Sequence, residues 1–345
     1  MSKRIYLDHA ATSPLRPEAK AAMEEGFRIW ANPSSPHAEG RKAREALEEA
    51  RERVKRALRW EGELIFTSGA SEAAALAVGA SKKSLTAISA IEHDALMRFK
   101  GGAPEWGVSE HAASLGSSSP AWLKGLVAVQ HANSEIGVIQ DTHRVRRKVD
   151  DGGGWWLCDC AQTAGKLPIP DADMVIVAAH KFGGPIGVGA LLVRNFAMLE
   201  PVGGHERGYR RGTENLPAIM GMAAALEADP SWLDEAQKLR DWLDDAVSAA
   251  GGEVVASESP RIPTIASYRM PGMSSSAQLV RMDAAGIAVS AGSACSSGTL
   301  KESSVLRAMW YQGAGQTIRV SFGWNTTRAE VERFCQAWLN MASIR

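Results

Sequence analysis

Long apolar runs, an excess of either charge, and cysteine are all scarce in this 345-residue sequence. No apolar stretch reaches the roughly 20 residues needed to cross a bilayer, which removes a helical membrane span from consideration. Lysine plus arginine and aspartate plus glutamate each total 39, so no global field gathers nucleic acid or an anionic membrane surface. The opening MSKRIYLDHAATSP has only a three-residue apolar run before Asp8, too short for a signal peptide or an anchor. Four cysteines in a chain of this size do not build a disulfide framework. Together these absences lead to the expectation of a cytoplasmic protein with free thiols. Internal repeats and low-complexity tails are missing too. What is present is length, and since single cores stop growing near roughly 250–300 residues, two lobes are expected.

Strand and helix patterns alternate through most of the chain. Ile5 to Leu7 reads as a short strand and Pro17 to Trp30 as a helix, followed by a rigid Asn32-Pro33-Ser34-Ser35-Pro36-His37 loop. Ala43, Leu47, Ala50, Val54 and Ala57 then make the apolar stripe of a long helix. Strands are expected at Glu63 to Thr67, Leu85 to Ser89, Gly125 to Gln130, Trp155 to Cys158 and, on either side of a glycine turn, Met174 to Ala179 and Gly189 to Val193. Helices are expected at Glu72 to Ala80, Thr142 to Val149 and Leu216 to Ala228, and a polar linker from Gly101 to Ser119. Asp229-Pro230-Ser231 marks a boundary, with Ser231 as the cap of the next helix. The second lobe alternates in the same way and closes with a helix from Arg328 to Ala342, where Cys335 shares the apolar face and reads as a core thiol.

This alternation predicts a doubly wound, mostly parallel α/β sheet whose ligands gather at the carboxyl ends of the strands. His93, Asn133, Asp159, Gln162 and Lys181 all fall at such ends. Lys181 is the pivotal one. It stands where DADMVIVAAHKFGGPIGVGALLV breaks between two strands, and a desolvated lysine there suits a Schiff base with a carbonyl cofactor. Ser68-Gly69-Ala70-Ser71 offers a helix N-terminus with free backbone N–H groups and the Ser71 hydroxyl, a ready anion site. Cys295, in SAGSACSSGTL, lies among small residues in the context of an exposed, reactive thiol. Cys158 and Cys160 flank Asp159, but their ligand set is too incomplete for a metal.

With YLDHAATSP, NPSSPHAEGRKAREALEEAR, FTSGASEA, EHDA, ANSEIGVIQD, DCAQTAGKLPI, AHKFGGPIGVGALLV, GGHERGYRRGTEN, SAGSACSSG and IRVSFGWNTT in this order, the sequence resembles the cysteine desulfurases of the class V aminotransferase group. These are pyridoxal phosphate (PLP) enzymes of fold type I. The resemblance implies an α/β chain with a large PLP-binding domain over residues 13–229, and a smaller α/β domain of 1–12 with 230–345 that carries the Cys295 loop. It implies that Lys181 holds PLP as a Schiff base, that Asp159 pairs with the pyridinium nitrogen and Gln162 with the ring hydroxyl, and that His93 stacks on the ring and moves protons. Gly69, Ala70, Ser71 and His180 would bind the phosphate, and Asn133 and Ser134 would lie beside the cofactor. Thr213 would reach the phosphate of a neighbouring subunit, which implies a homodimer. Arg319 and Asn32 would hold the substrate.

The implied reaction turns L-cysteine into L-alanine and leaves a persulfide on Cys295 for a sulfur-acceptor protein, in iron–sulfur cluster assembly or thio-modification. Other class V reactions, such as a selenocysteine lyase or an aminotransferase, are the alternatives, with a non-catalytic binding subunit of the same fold as a third. Three departures from the family pattern stand out: Ala178 in place of a phosphate-binding serine, Ser134 in place of a second asparagine, and Cys160 in place of a small apolar residue.

Overall fold

The computed structural model describes residues 4–112, 120–292 and 303–343, so Cys295 and most of its loop lie outside the described residues. Within them the strands are β1 (Ile5–Tyr6), β2 (Glu63–Thr67), β3 (Leu85–Ser89), β4 (Glu105–Trp106), β5 (Leu126–Ala128), β6 (Trp155–Asp159), β7 (Met174–Ala178), β8 (Gly189–Val193), β9 (Glu253–Val254), β10 (Ile265–Arg269), β11 (Ile287–Ala288) and β12 (Thr317–Ser321). β2 to β8 form one seven-stranded sheet in the order β2-β8-β7-β6-β5-β3-β4. It is parallel from β7 to β4, while β8 runs antiparallel to both of its neighbours.

Every residue of β7 (MVIVA) and β8 (GALLV) is buried, as expected for strands covered on both faces. Val175 and Val177 point to one apolar cluster, Met174 and Ile176 to another. The first cluster is covered by the helices Pro17–Ile29, Ala38–Leu58 and Leu216–Glu227, the second by Ala70–Ala80. In Ala38–Leu58 the buried stripe ends on Leu58 instead of the expected Ala57, because after Val54 the 3.6-residue period is met by a step of four.

A separate core draws Ile5 and Leu7 together with residues from 236 to 341. Here β9, β10 and β12 make an antiparallel sheet and β1 pairs with β11. Helices Trp232–Ala249 and Arg328–Ala342 pack Leu239, Leu243 and Val247 with Phe334, Trp338 and Met341, and Cys335 is buried among them. From β1 the chain returns to the large sheet. Asp8 bridges Ser321, and the Ser13 N–H donates to the His180 carbonyl at 2.8 Å.

Three local expectations change. The stretch read as a polar linker contains β4, which adds to β3 because Trp106 buries its ring at 2% exposure. A short helix, Asp94–Met97, begins five residues after the end of β3. Ser231 occupies the cap position of its helix but does not cap it, since its hydroxyl donates to Asp229 at 2.6 Å instead. Among the described residues no helix is long and apolar enough to cross a membrane.

Candidate active site

The parallel register places Asp159, the last residue of β6, beside Ile176 of β7. Immediately after β7, the single turn Ala179–Lys181 swings Lys181 towards the same strand ends. Gln162 follows β6 by three residues. Lys181 and Gln162 meet at one atom: the Ala10 carbonyl accepts from Lys181 Nζ at 2.7 Å and from Gln162 Nε2 at 3.0 Å. The Ala11 carbonyl accepts from Nζ as well, at 2.8 Å.

Asp159 is 8% exposed, and Ala161 N–H donates to its Oδ1 at 2.8 Å. Burial raises its carboxyl above the usual range, against the opposing pull of that N–H, of His93 and of Lys181. His93 caps the Asp94–Met97 helix: its Nδ1 accepts from Ala95 N–H at 3.1 Å, which leaves the ring proton of the neutral imidazole on Nε2. His180 Nδ1 lies 3.2 Å from the Thr12 hydroxyl, and burial, with Lys181 and Lys166 nearby, lowers its imidazole to about 4.

The helix Ala70–Ala80 aims its N-terminus at these strand ends. Its cap is Gly69 at φ 145°, a backbone state that only glycine adopts with ease, and no side chain caps the helix. Gly189, the register partner of Ala178, lets this turn close in, since a Cβ on it would stand 2.9 Å from the Gly69 Cα. Ser71, on the first turn of the helix, is exposed. The uncapped N–H groups, the deeply placed Asp159 and the Gln162 Oε1, buried with no partner among the described residues, form a donor and acceptor set that would fit PLP: phosphate at Gly69 to Ser71, ring nitrogen at Asp159, ring hydroxyl at Gln162.

Arg319, on β12, closes the other side. One terminal nitrogen donates to the Ser134 carbonyl at 3.0 Å and the other to Asp8 at 2.8 Å, while the buried Nε–H has no partner among the described residues. Asn133 is buried, but its side chain is spent on backbone groups, donating to the Ile91 carbonyl beyond β3 at 3.1 Å and accepting from Glu135 and Ile136 N–H of its own loop at 2.9 and 3.1 Å. Asn32 and Thr213 are exposed, and Asn32 Oδ1 accepts from Ser34 N–H at 2.8 Å.

Sequence reasoning assigned no role to Asp8, Ala10, Ala11 or Thr12, although the YLDHAATSP stretch was the available signal. It also missed Glu92 and Lys166. Glu92 is fully buried; burial and then Asp159 push its carboxyl well above the usual range, and its Oε1 accepts from Gln130 N–H at 2.6 Å. Burial and then Lys181 bring the Lys166 ammonium down to about 7.

A family model described as Aminotransferase class-V matches residues 5–99 and 123–334. The cysteine desulfurase IscS of Dictyoglomus turgidum is 32% identical, over 96% of this chain and 92% of that protein. A cysteine desulfurase of Cereibacter sphaeroides is 33% identical, over 97% and 94%. Among solved structures, a NifS-like protein from Rickettsia africae superposes with a TM-score of 0.87 at 26% identity, covering 99% of each chain. By a model that matches most of its length and by full-length relatives above 30% identity, the chain belongs to the class V aminotransferase family, among its PLP-dependent cysteine desulfurases.

Proposed function

We propose that this cysteine desulfurase holds PLP through Lys181, Asp159 and Gln162 and takes the sulfur of L-cysteine onto Cys295 as a persulfide. The observation that carries the reading is the meeting of Lys181 and Gln162 at the Ala10 carbonyl, beside a buried Asp159. When bound, the cofactor supplies an electron sink for bonds broken at the substrate's carbons.

The chain's own residues do the rest. Gly69 to Ser71 and His180 hold the phosphate, with Ser134 and Asn133 shaping the wall beside the ring. A cation at the ring nitrogen would favour the charged form of Asp159, against the cost of its burial. The Ala10 and Ala11 carbonyls favour protonated Lys181 Nζ, so that atom can carry a proton to the substrate and take one back. His93 Nδ1 is occupied as a helix cap, which leaves Nε2 as the atom that moves protons. Arg319 meets the substrate carboxylate with its buried Nε–H, and Asn32 is the second substrate contact. The Cys295 thiolate forms a bond to the substrate sulfur as alanine leaves. Thr213, exposed on its glycine-rich loop, reaches a second subunit's phosphate in a homodimer. The persulfide then passes to an acceptor protein of cytoplasmic iron–sulfur assembly or thio-modification.

Cys295→Ala tests this directly. Sulfide release from L-cysteine should vanish while the visible absorbance of bound PLP remains. Unchanged turnover would overturn the role of Cys295, and a wild-type protein that gains no visible band on adding PLP would overturn the cofactor site.

A further inference from the structure

Cys158 and Cys160 flank Asp159, and neither has a part in the chemistry above. Strand alternation turns both thiols into the main apolar core and Asp159 to the opposite side. Both are completely buried, and their sulfurs lie 3.7 Å apart. The His131 ring and the Thr163 hydroxyl lie beside Cys160 and pair with each other at 3.0 Å, and the Thr163 hydroxyl donates to the Cys160 carbonyl at 3.4 Å. The His131 N–H donates to the Asp159 carbonyl at 2.9 Å, so the cluster is wired to the backbone that carries the aspartate. Burial pushes both thiols up, and at Cys160 the neighbouring Cys158, His131 and Thr163 side chains outweigh it and bring that thiol below its usual range. A thiolate supported by histidine, with a second thiol in contact, is the pairing of an attacking and a resolving cysteine. Packing alone requires neither the histidine nor the second sulfur.

We propose that Cys158 and Cys160 are a modification site, a dithiol that a small hydroperoxide converts to a disulfide closing behind Asp159. The Cys160 thiolate attacks one peroxide oxygen and the O–O bond breaks; Cys160 becomes a sulfenic acid, and the other oxygen leaves as hydroxide and is protonated to water. The Cys158 sulfur then attacks the Cys160 sulfur, and its proton departs with the sulfenic hydroxyl as a second water. Two electrons pass from the dithiol to the peroxide. Closing the sulfurs from 3.7 Å to a bonded separation of about 2 Å must pull on Asp159, the one residue between them. The route in is the turn after β6, where Ala161 is partly exposed and Gly165 exposed, so that only local opening is needed. Disulfide formation stands independently of the desulfurase reading; its effect on the cofactor rests on it.

The test treats the purified PLP-loaded protein with hydrogen peroxide, alkylates free thiols in denaturant and digests with trypsin. Cleavage after Lys148 and Lys166 isolates both thiols in one peptide with no other cysteine. The expected product is an unalkylated peptide about 2 Da lighter than the dithiol, reversed by dithiothreitol, its appearance matched by loss of the visible PLP band. In Cys158→Ala the oxidation should stop at a sulfenic acid on Cys160 that dimedone captures. A doubly alkylated peptide after treatment that oxidises Cys295, or no dimedone on Cys160 in the variant, overturns the site. A disulfide that leaves the visible band unchanged overturns the link to Asp159.

Discussion

Glu206→Gln should lower the melting temperature of the protein by about 4 °C and loosen the loop that carries Thr213. Glu206 and Arg51 form a buried pair, with side chains only 1% and 3% exposed. The carboxylate accepts from both terminal guanidinium nitrogens, at 2.7 and 2.9 Å, and from Phe66 N–H at 2.8 Å. The substitution keeps the shape and removes the charge, which leaves a buried guanidinium facing an amide. Breaking such a pair from one side costs roughly 3–5 kcal/mol. Arg51 keeps the Leu64 carbonyl at 2.8 Å and the partly exposed Glu48 at 3.1 Å, so the lower figure, about 3 kcal/mol, applies. At roughly 2.1 cal/mol/K per residue a chain of this length loses about 0.7 kcal/mol per degree, which gives the 4 °C. The pair also holds Glu206 and Arg207 at φ 47° and 56°, a left-handed state costing about 1–3 kcal/mol per residue that the loop escapes once the charge is gone. Calorimetry at neutral pH reads the first effect, and faster tryptic cutting at Arg207, Arg210 or Arg211 the second. A variant melting within about 1 °C of the parent, with unchanged cutting, would refute the reasoning. Replacing both partners, as Arg51→Met with Glu206→Leu, should recover most of the loss, since the cost lies in the uncompensated charge.

Two further outcomes are expected. His9 is 2% exposed, and burial followed by Lys166 lowers its imidazole from 6.5 to about 4. Its contribution is therefore complete above about pH 6.5 and lost as pH falls towards about 4, roughly 3 kcal/mol in all. In urea unfolding across that window, His9→Gln should flatten the pH slope only in part, because His180 is lowered in the same way; an unchanged slope would count against a neutral buried His9. Ala178→Ser should place a hydroxyl between β7 and the Gly69 turn, where a bond to a charged phosphate is worth roughly 1.5–3 kcal/mol, or about 10- to 150-fold in PLP affinity. Equilibrium PLP titration reads it, and unchanged affinity would place the phosphate elsewhere.

The large sheet was legible because strands buried on both faces write continuous apolar runs, and β7 and β8 are such runs. Their direction was not, since an apolar run reads the same either way; the reversal of β8 is set by the short glycine turn that joins it to β7, too short for a parallel crossover. β4 was hidden for a related reason: two residues have no period, and only the docking of Trp106 makes them a strand. In the candidate site the side chains that end strands, Lys181, Asp159 and Gln162, could be picked out by position. The groups that meet them could not. Ala10 and Ala11 act through backbone carbonyls from some 170 residues away, and an alanine carries no signal of what its carbonyl will accept.

Nothing in the sequence marks Lys166 and Glu92 as unusual, since whether such a side chain is solvated or enclosed is decided by elements that are remote in sequence. Enclosure changes their chemistry as well as their environment. Next to Asp159, whose charge a bound cation would favour, stands Glu92, whose carboxyl burial and Asp159 push well above the usual range; next to Lys181 stands Lys166, lowered to about 7. Burial raises both carboxyls, Glu92 the further, and lowers the Lys166 ammonium. These shifts are a property of the folded strand ends and of no single motif.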